Sequence, residues 1–242
     1  MARANDCEFP STHWTLVGNA CRGTLEERRR ALGLLLERYR RPLKAYVRRR
    51  WGTGAQDAED LVHDFILGKV IEQDLLAHAD PSRGRFRGFL QSVLDRRVLE
   101  GFRRARRQKR GGGTVQSIEE VAELVDDRED LTVLFDVEWA RGVIEEAAGR
   151  MRRRCEATGR RDLWSVLEAR VLGPTLRQED TVSYRELVAR FRFESLDQAS
   201  NALVTAKRMF VRALHSVVGE YASGEAAIDE EIADLRRILA SR

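Results

Sequence analysis

The sequence predicts an all-α fold: two helical domains joined by an acidic linker, the second containing a helix-turn-helix. Three observations carry this expectation. Apolar side chains recur at the i, i+3, i+4, i+7 spacing of one helix face along most of the chain. Two capping signatures, Ser183 to Glu186 and Ser195 to Gln198, follow one another closely. Between the two halves, Gly111-Gly112-Gly113 precedes a run of acids. Glycine admits any backbone direction and clustered like charge resists compaction, so this stretch reads as a domain boundary.

Leu32, Leu35, Leu36 and Tyr39 form the first apolar stripe. Pro42 is expected to break that helix, because proline lacks an amide donor and clashes with the preceding turn. Leu43, Tyr46 and Val47 continue the stripe on a fresh helix. Asp57 is placed to cap the next one, with Glu59 and Asp60 at its positive dipole end and Leu61, Val62, Phe65, Ile66, Val70 and Ile71 as its apolar face. Pro81 ends the approach to a fourth helix. There Phe86, Phe89, Leu90, Val93 and Leu94 point inward, while Arg96, Arg103 and Arg107 share another face.

Beyond the glycines, Phe135, Trp139, Val143 and Ala147 mark a fifth helix, and Leu163, Leu167 and Val171 a sixth that ends near Gly173-Pro174. The first capping signature opens a short helix with Tyr184, Leu187, Val188 and Phe191 as its core stripe. The second opens a long helix with Ala199, Leu203, Ala206, Phe210, Ala213, Val217 and Tyr221 inward. A short helix, a tight turn and a longer helix form the layout in which the second helix enters the DNA major groove. At about 100° per residue, Asp197, Asn201, Val204, Thr205, Arg208 and Arg212 fall opposite the core stripe. Ile228, Ile232, Leu235 and Leu239 make a last amphipathic helix, expected to fold back on the second domain. The predicted organisation is therefore an N-terminal domain over 1–110, a linker over 111–131, a helix-turn-helix domain over 132–221 and a helical extension over 222–242.

Composition narrows the function classes. Of 242 residues, 43% are hydrophobic, enough for packed cores, so wholesale disorder is not expected. No uncharged apolar run approaches the roughly 18 residues of a membrane helix, and the N-terminus carries acids without an apolar stretch, so a cytoplasmic location is expected. Cys7, Cys21 and Cys155 lie far apart and read as reduced thiols. Asp60-x-x-His63-Asp64 is a weak metal signature, because the chain has only His13, His63, His78 and His215 and no second carboxylate–histidine pair. Neither a phosphate-binding glycine loop nor a nucleophile elbow is present. Catalysis, a metal and a cofactor are all unexpected. Trp14, Trp51, Trp139 and Trp164 read as core anchors rather than base-stacking platforms.

The net charge of +4 conceals strong segregation. From Arg83 to Arg110 eleven basic residues face only Asp95 and Glu100; from Val115 to Glu138 nine acids face only Arg128. Guanidinium forks fit phosphate oxygens and counterion release favours each contact, so the basic block reads as a polyanion-binding surface.

Taken in order, Phe9-Pro10-Ser11-Thr12-His13-Trp14-Thr15-Leu16-Val17, Tyr39-Arg40-Arg41-Pro42-Leu43-Lys44-Ala45-Tyr46-Val47-Arg48-Arg49, Asp57-Ala58-Glu59-Asp60-Leu61-Val62-His63-Asp64-Phe65, Asp80-Pro81-Ser82-Arg83-Gly84-Arg85-Phe86-Arg87-Gly88-Phe89-Leu90 and Arg103-Arg104-Ala105-Arg106-Arg107 resemble an RNA polymerase sigma factor of the extracytoplasmic-function type, in its planctomycete-like form. The resemblance implies a two-domain initiation factor with core RNA polymerase and promoter DNA as partners, and it leaves room for an anti-sigma or other regulator. It implies polymerase binding by Asp57, Glu59, Asp60, Leu61, Asp64 and Phe65. Promoter melting falls to Arg83, Arg85, Phe86, Arg87, Arg96, Arg97, Arg103, Arg104 and Arg107. Upstream-element reading falls to Gln198, Ser200, Asn201, Thr205, Arg208 and Arg212, and the acidic linker is assigned to the RNA exit path. Two positions depart from the pattern: Phe89 replaces a frequent Trp, and Arg192 replaces a frequent turn Gly. A left-handed Arg192 costs on the order of 1 kcal/mol, so the turn is expected to differ. The alternative reading is a free-standing helix-turn-helix regulator with the Arg block as a nonspecific clamp.

Overall fold

The computed structural model describes residues 14–22, 24–71, 75–80, 86–108, 128–222 and 224–240. The fold is all-α, with no strand among the described residues. Among the described residues nine α-helices follow in order: α1 Trp14–Arg22, α2 Leu25–Trp51, α3 Ala55–Phe65, α4 Phe86–Gln108, α5 Arg128–Ala157, α6 Arg161–Leu167, α7 Tyr184–Phe191, α8 Leu196–Val218 and α9 Glu225–Ala240. A π-helical segment, Ile66–Ile71, extends α3, and another, Glu168–Arg177, extends α6. Two compact units divide the chain, Met1–Trp139 and Ala140–Arg242.

In the first unit α2 is the organising element. Thr24 caps it with a complete capping box, its hydroxyl accepting from the Glu27 amide at 3.3 Å and its own amide donating to Glu27 at 2.7 Å. The expected break at Pro42 does not occur: Pro42 lies buried inside one unbroken helix. Interior proline costs about 3 kcal/mol. Here Ala31, Leu35, Tyr39, Leu43, Tyr46, Val47 and Trp51 form one continuous buried stripe, whose packing outweighs the local penalty. Gly52 ends the helix at φ 59°, the left-handed position that glycine occupies without a Cβ clash.

Helix α3 begins three residues earlier than predicted. Gly54 is its N-cap and Asp57 sits in the first turn, where its charge still meets the positive dipole end. Ala58, Val62 and Phe65 turn inward and Ile66 continues the buried face, whereas the side chains of Val70 and Ile71 lie outside the described residues. Helix α4 buries Phe86, Leu90, Leu94 and Val98.

The first turns of α5 complete this unit. Leu131, Phe135 and Trp139 are buried, and Phe135 stacks on Tyr39 at 6.2 Å between ring centroids and meets Tyr46 edge-on at 6.2 Å. Tyr39 in turn meets Phe86 at 5.5 Å. Residues 132–139, expected in the second domain, thus pack with the first because their aromatic stripe fits this cluster. Arg128–Leu131, expected in the linker, is already helical. The rest of the acidic linker, with Cys7, His13, Pro81 and the side chain of Trp14, lies outside the described residues.

In the second unit Val166, Leu187, Ala199 and Leu203 form a core against which Val171, Tyr184, Val188 and Phe191 pack. The helix expected to stop near Gly173-Pro174 continues as a π-helical segment through Pro174 to Gln178, whose φ is 58°. Helix α9 packs on α8, as expected of a tail that folds back, with Ile232, Leu235 and Ile238 buried. Cys155 is buried and unpaired, and burial pushes its thiol pKa up.

Candidate functional site

The amphipathic register of α3 places an acidic edge on the first unit. Asp57, Asp60 and Asp64 are exposed at i, i+3, i+7 spacing, with Gln56 donating to Asp60 at 3.1 Å. Glu59 behaves differently. Lys44 Nζ lies 2.6 Å from it and Arg40 also pairs with it, so the carboxylate is tied to α2. The hydrogen bond from Lys44, then that from Arg40, holds its pKa below the ordinary 4.5. Leu61 is half-buried, and Phe65 has no exposed surface. Phe65 is therefore a core residue and not a polymerase contact: its ring points to the apolar side of the helix. One residue that sequence reasoning missed is Leu67, 43% exposed just past the acidic edge. No pattern marked it, since apolar periodicity assigns such a residue to the core.

Helix α4 sorts its basic residues by phase. Arg87 is 5% exposed, its Nε 2.9 Å from Asp136 and its guanidinium carbon 4.3 Å from the Trp139 ring centroid. Arg87 and the buried Phe86 are structural, which corrects their assignment to the melting surface. Arg96 is exposed and Arg97 half-buried. Arg103, Arg104 and Arg107 continue the helix, their side chains outside the described residues; Arg83 and Arg85 lie outside altogether.

A cavity of about 700 Å³ opens between α2, α4 and the start of α5, with Arg96 and Arg50 among its lining. Within it Tyr46 donates to Asp95 at 2.8 Å. Arg50, whose guanidinium carbon is 5.4 Å from the Trp51 ring centroid, adds a cation from outside the 83–110 block.

In the second unit α7 and α8 flank a turn over 192–195. The Ser183 capping box is complete, its hydroxyl accepting from the Glu186 amide at 3.2 Å and its amide donating to Glu186 at 2.8 Å. At Ser195 half of the expected box forms: its hydroxyl accepts from the Gln198 amide at 3.1 Å, but the Gln198 side chain accepts from the Glu194 amide instead. Gln198 is thus engaged in shaping the turn. Arg192 adopts φ 57°, ψ 44°, so the turn keeps the left-handed geometry without a glycine. The outer face of α8 is as expected: Asp197, Asn201, Arg208 and Arg212 are exposed, Val204 is 46% exposed, and Ser200 and Thr205 are half-buried. Thr205 donates to the Asn201 carbonyl at 2.9 Å, which fixes its rotamer.

Among the described residues no group of His, Cys, Asp or Glu is arranged to hold a metal ion, and no helix is long and apolar enough to cross a membrane. Residues 35–108, from within α2 to the last residue of α4, match the family model described as sigma-70 region 2. The match spans 74 of the 242 residues, all of them in the first unit. No curated protein matches the chain, and neither does any solved structure.

Proposed function

We propose that this chain is a sigma factor of the extracytoplasmic-function type that binds core RNA polymerase through α3 and opens promoter DNA with α4. The observation that carries the reading is the coincidence of the region 2 match with an exposed acidic edge on α3 and the exposed Arg96 on the neighbouring α4. Asp57, Asp60 and Asp64 offer an anionic stripe to a basic partner surface, with Leu61 and Leu67 as apolar neighbours. Arg96, with Arg103 and Arg107 in phase with it, offers cations to the backbone of separated strands. In the second unit Asn201 and Thr205 occupy the positions from which α8 reads base edges. The protein then works where the polymerase does, in the cytoplasm.

Capture on immobilised core polymerase, comparing wild type with Asp60→Arg, tests the first half. Wild type is retained and the variant is not. If neither is retained, the free-standing regulator reading replaces this one. Arg96→Glu combined with Arg103→Glu tests the second half: core binding persists while permanganate reactivity of promoter thymines disappears. Unchanged reactivity removes the melting role from α4.

A further inference from the structure

We propose that a second, unassigned cleft seats a phosphate of the duplex backbone beside α8; the inference rests on the reading of α8 as the recognition helix. The cleft, about 200 Å³, lies between α5 and the C-terminal half of α8, lined by Arg150, Arg154, Arg212 and Ser216 over a floor of Met151 and Met209. At roughly 30 Å³ per water, it has room for one phosphoryl group and part of its hydration shell.

Its cations are not equivalent. Arg150 is anchored by Glu146 at 2.8 Å and Glu220 at 2.7 Å, and its third contact is the Ser216 hydroxyl at 3.4 Å. Those two carboxylates neutralise it and hold it rigid. Arg154 and Arg212 are both exposed and have no acidic partner among the described residues. Two uncompensated guanidiniums over a fixed third, with a hydroxyl beside them, match the donor set of a phosphate, which accepts from several N–H groups at once.

Position identifies the source. Arg212 lies eleven residues beyond Asn201, nearly in phase with it, and at 1.5 Å per residue the separation along the axis is about 16 Å. The major groove is about 12 Å wide, so with Asn201 at a base edge Arg212 has passed the groove wall and reached the sugar–phosphate strand. The cleft sits there. Arg154, supplied by a different helix, then closes on the same phosphate from the other side.

Fluorescence anisotropy of the full chain on a random-sequence duplex and on a duplex selected for binding, across a salt series, tests this. Arg154→Gln, an exposed substitution that leaves the core untouched, weakens both duplexes equally, by roughly threefold or more, and lowers the slope of log affinity against log salt by about one. Asn201→Ala is the comparison, weakening the selected duplex alone. Unchanged affinity and slope in Arg154→Gln, with Asn201→Ala still impaired, overturns the cleft and leaves the α8 reading standing. No duplex binding by the wild-type chain overturns the α8 reading itself. Calorimetry with inorganic phosphate and with ATP separates the sources: binding of either that Arg154→Gln abolishes, with duplex affinity intact, assigns the cleft to a free phosphate compound and overturns the backbone assignment.

Discussion

Removing the carboxylate of Asp136 is the sharpest test of where Arg87 belongs. The Arg87 side chain keeps 6% of its surface and that of Asp136 keeps 15%, with 2.9 Å between Nε and Oδ1. Asp136→Ala therefore takes the carboxylate away from a guanidinium that has already left water, a defect of about 3 to 5 kcal/mol when one partner of a buried pair is deleted. Typical domains are stable by about 5 to 15 kcal/mol, so the loss is a large share of the total. At about 1.4 kcal/mol per tenfold, even the lower bound raises the opening equilibrium of the first unit more than 100-fold. Native-state hydrogen exchange at the amides of α4 and the first turns of α5 reads that change directly. Arg87→Met combined with Asp136→Leu removes both charges while filling similar space, and recovers most of the lost stability. A different result would refute the reasoning: a cost for Asp136→Ala below about 1 kcal/mol, the range of an exposed pair, with Arg87→Ala weakening DNA binding but not the fold. Arg87 would then be a surface contact after all.

Three further outcomes are expected. Arg192→Gly relieves a left-handed backbone at a non-glycine residue; the gain, partly offset by the freer unfolded chain, is up to about 1 kcal/mol in chemical denaturation, and any net loss contradicts the strain argument. Glu59 has a depressed folded pKa, so its contribution is present above the ordinary 4.5 and lost as pH falls through the folded value. The melting-temperature difference between wild type and Glu59→Gln is thus constant above that pH and shrinks on acidification; a pH-independent difference would show that the ion pair is not its source. If α8 reads DNA as proposed, exposed Val204 covers a thymine methyl, and replacing that dT with dU weakens wild-type binding about fourfold, at about 0.8 kcal/mol for the methyl, but leaves Val204→Ala unaffected.

What the sequence made legible followed period and capping. The stripes of α3, α4 and α8, the Ser183 box and the fold-back of α9 depend on neighbours three or four residues away, and local pattern records those. Pro42 shows the limit: its local preference says break, and the long buried stripe of α2, closed by Phe135 from far along the chain, overrides it. The first unit reaches Trp139 for the same reason. Nothing near Phe135 announces that its partners are Tyr39 and Tyr46. The second cluster of guanidiniums, Arg150 and Arg154, does not stand out in the sequence because Glu145, Glu146 and Glu156 flank its short arginine run and balance the charge, and only the fold sets it beside Arg212.

Arginine is the residue for which sequence density misleads most, because its stem tolerates burial and its fork satisfies either a carboxylate or a phosphate. Helical phase resolves the ambiguity where composition does not. At about 100° per residue Arg87 falls in one stripe with Gln91, Leu94 and Val98, all of them buried, whereas Arg96 lies nine residues on and about 180° away. Arg103 and Arg107 return to within about 20° of Arg96. The basic block is thus divided on α4 by helical phase: the Arg87 guanidinium is turned inward to Asp136 and Trp139, and positions 96, 103 and 107 share the opposite phase, with Arg96 exposed. Charge reversal at those positions should change DNA opening at constant stability, and charge removal at Arg87 should do the reverse, so the two faces of one helix can be separated by experiment.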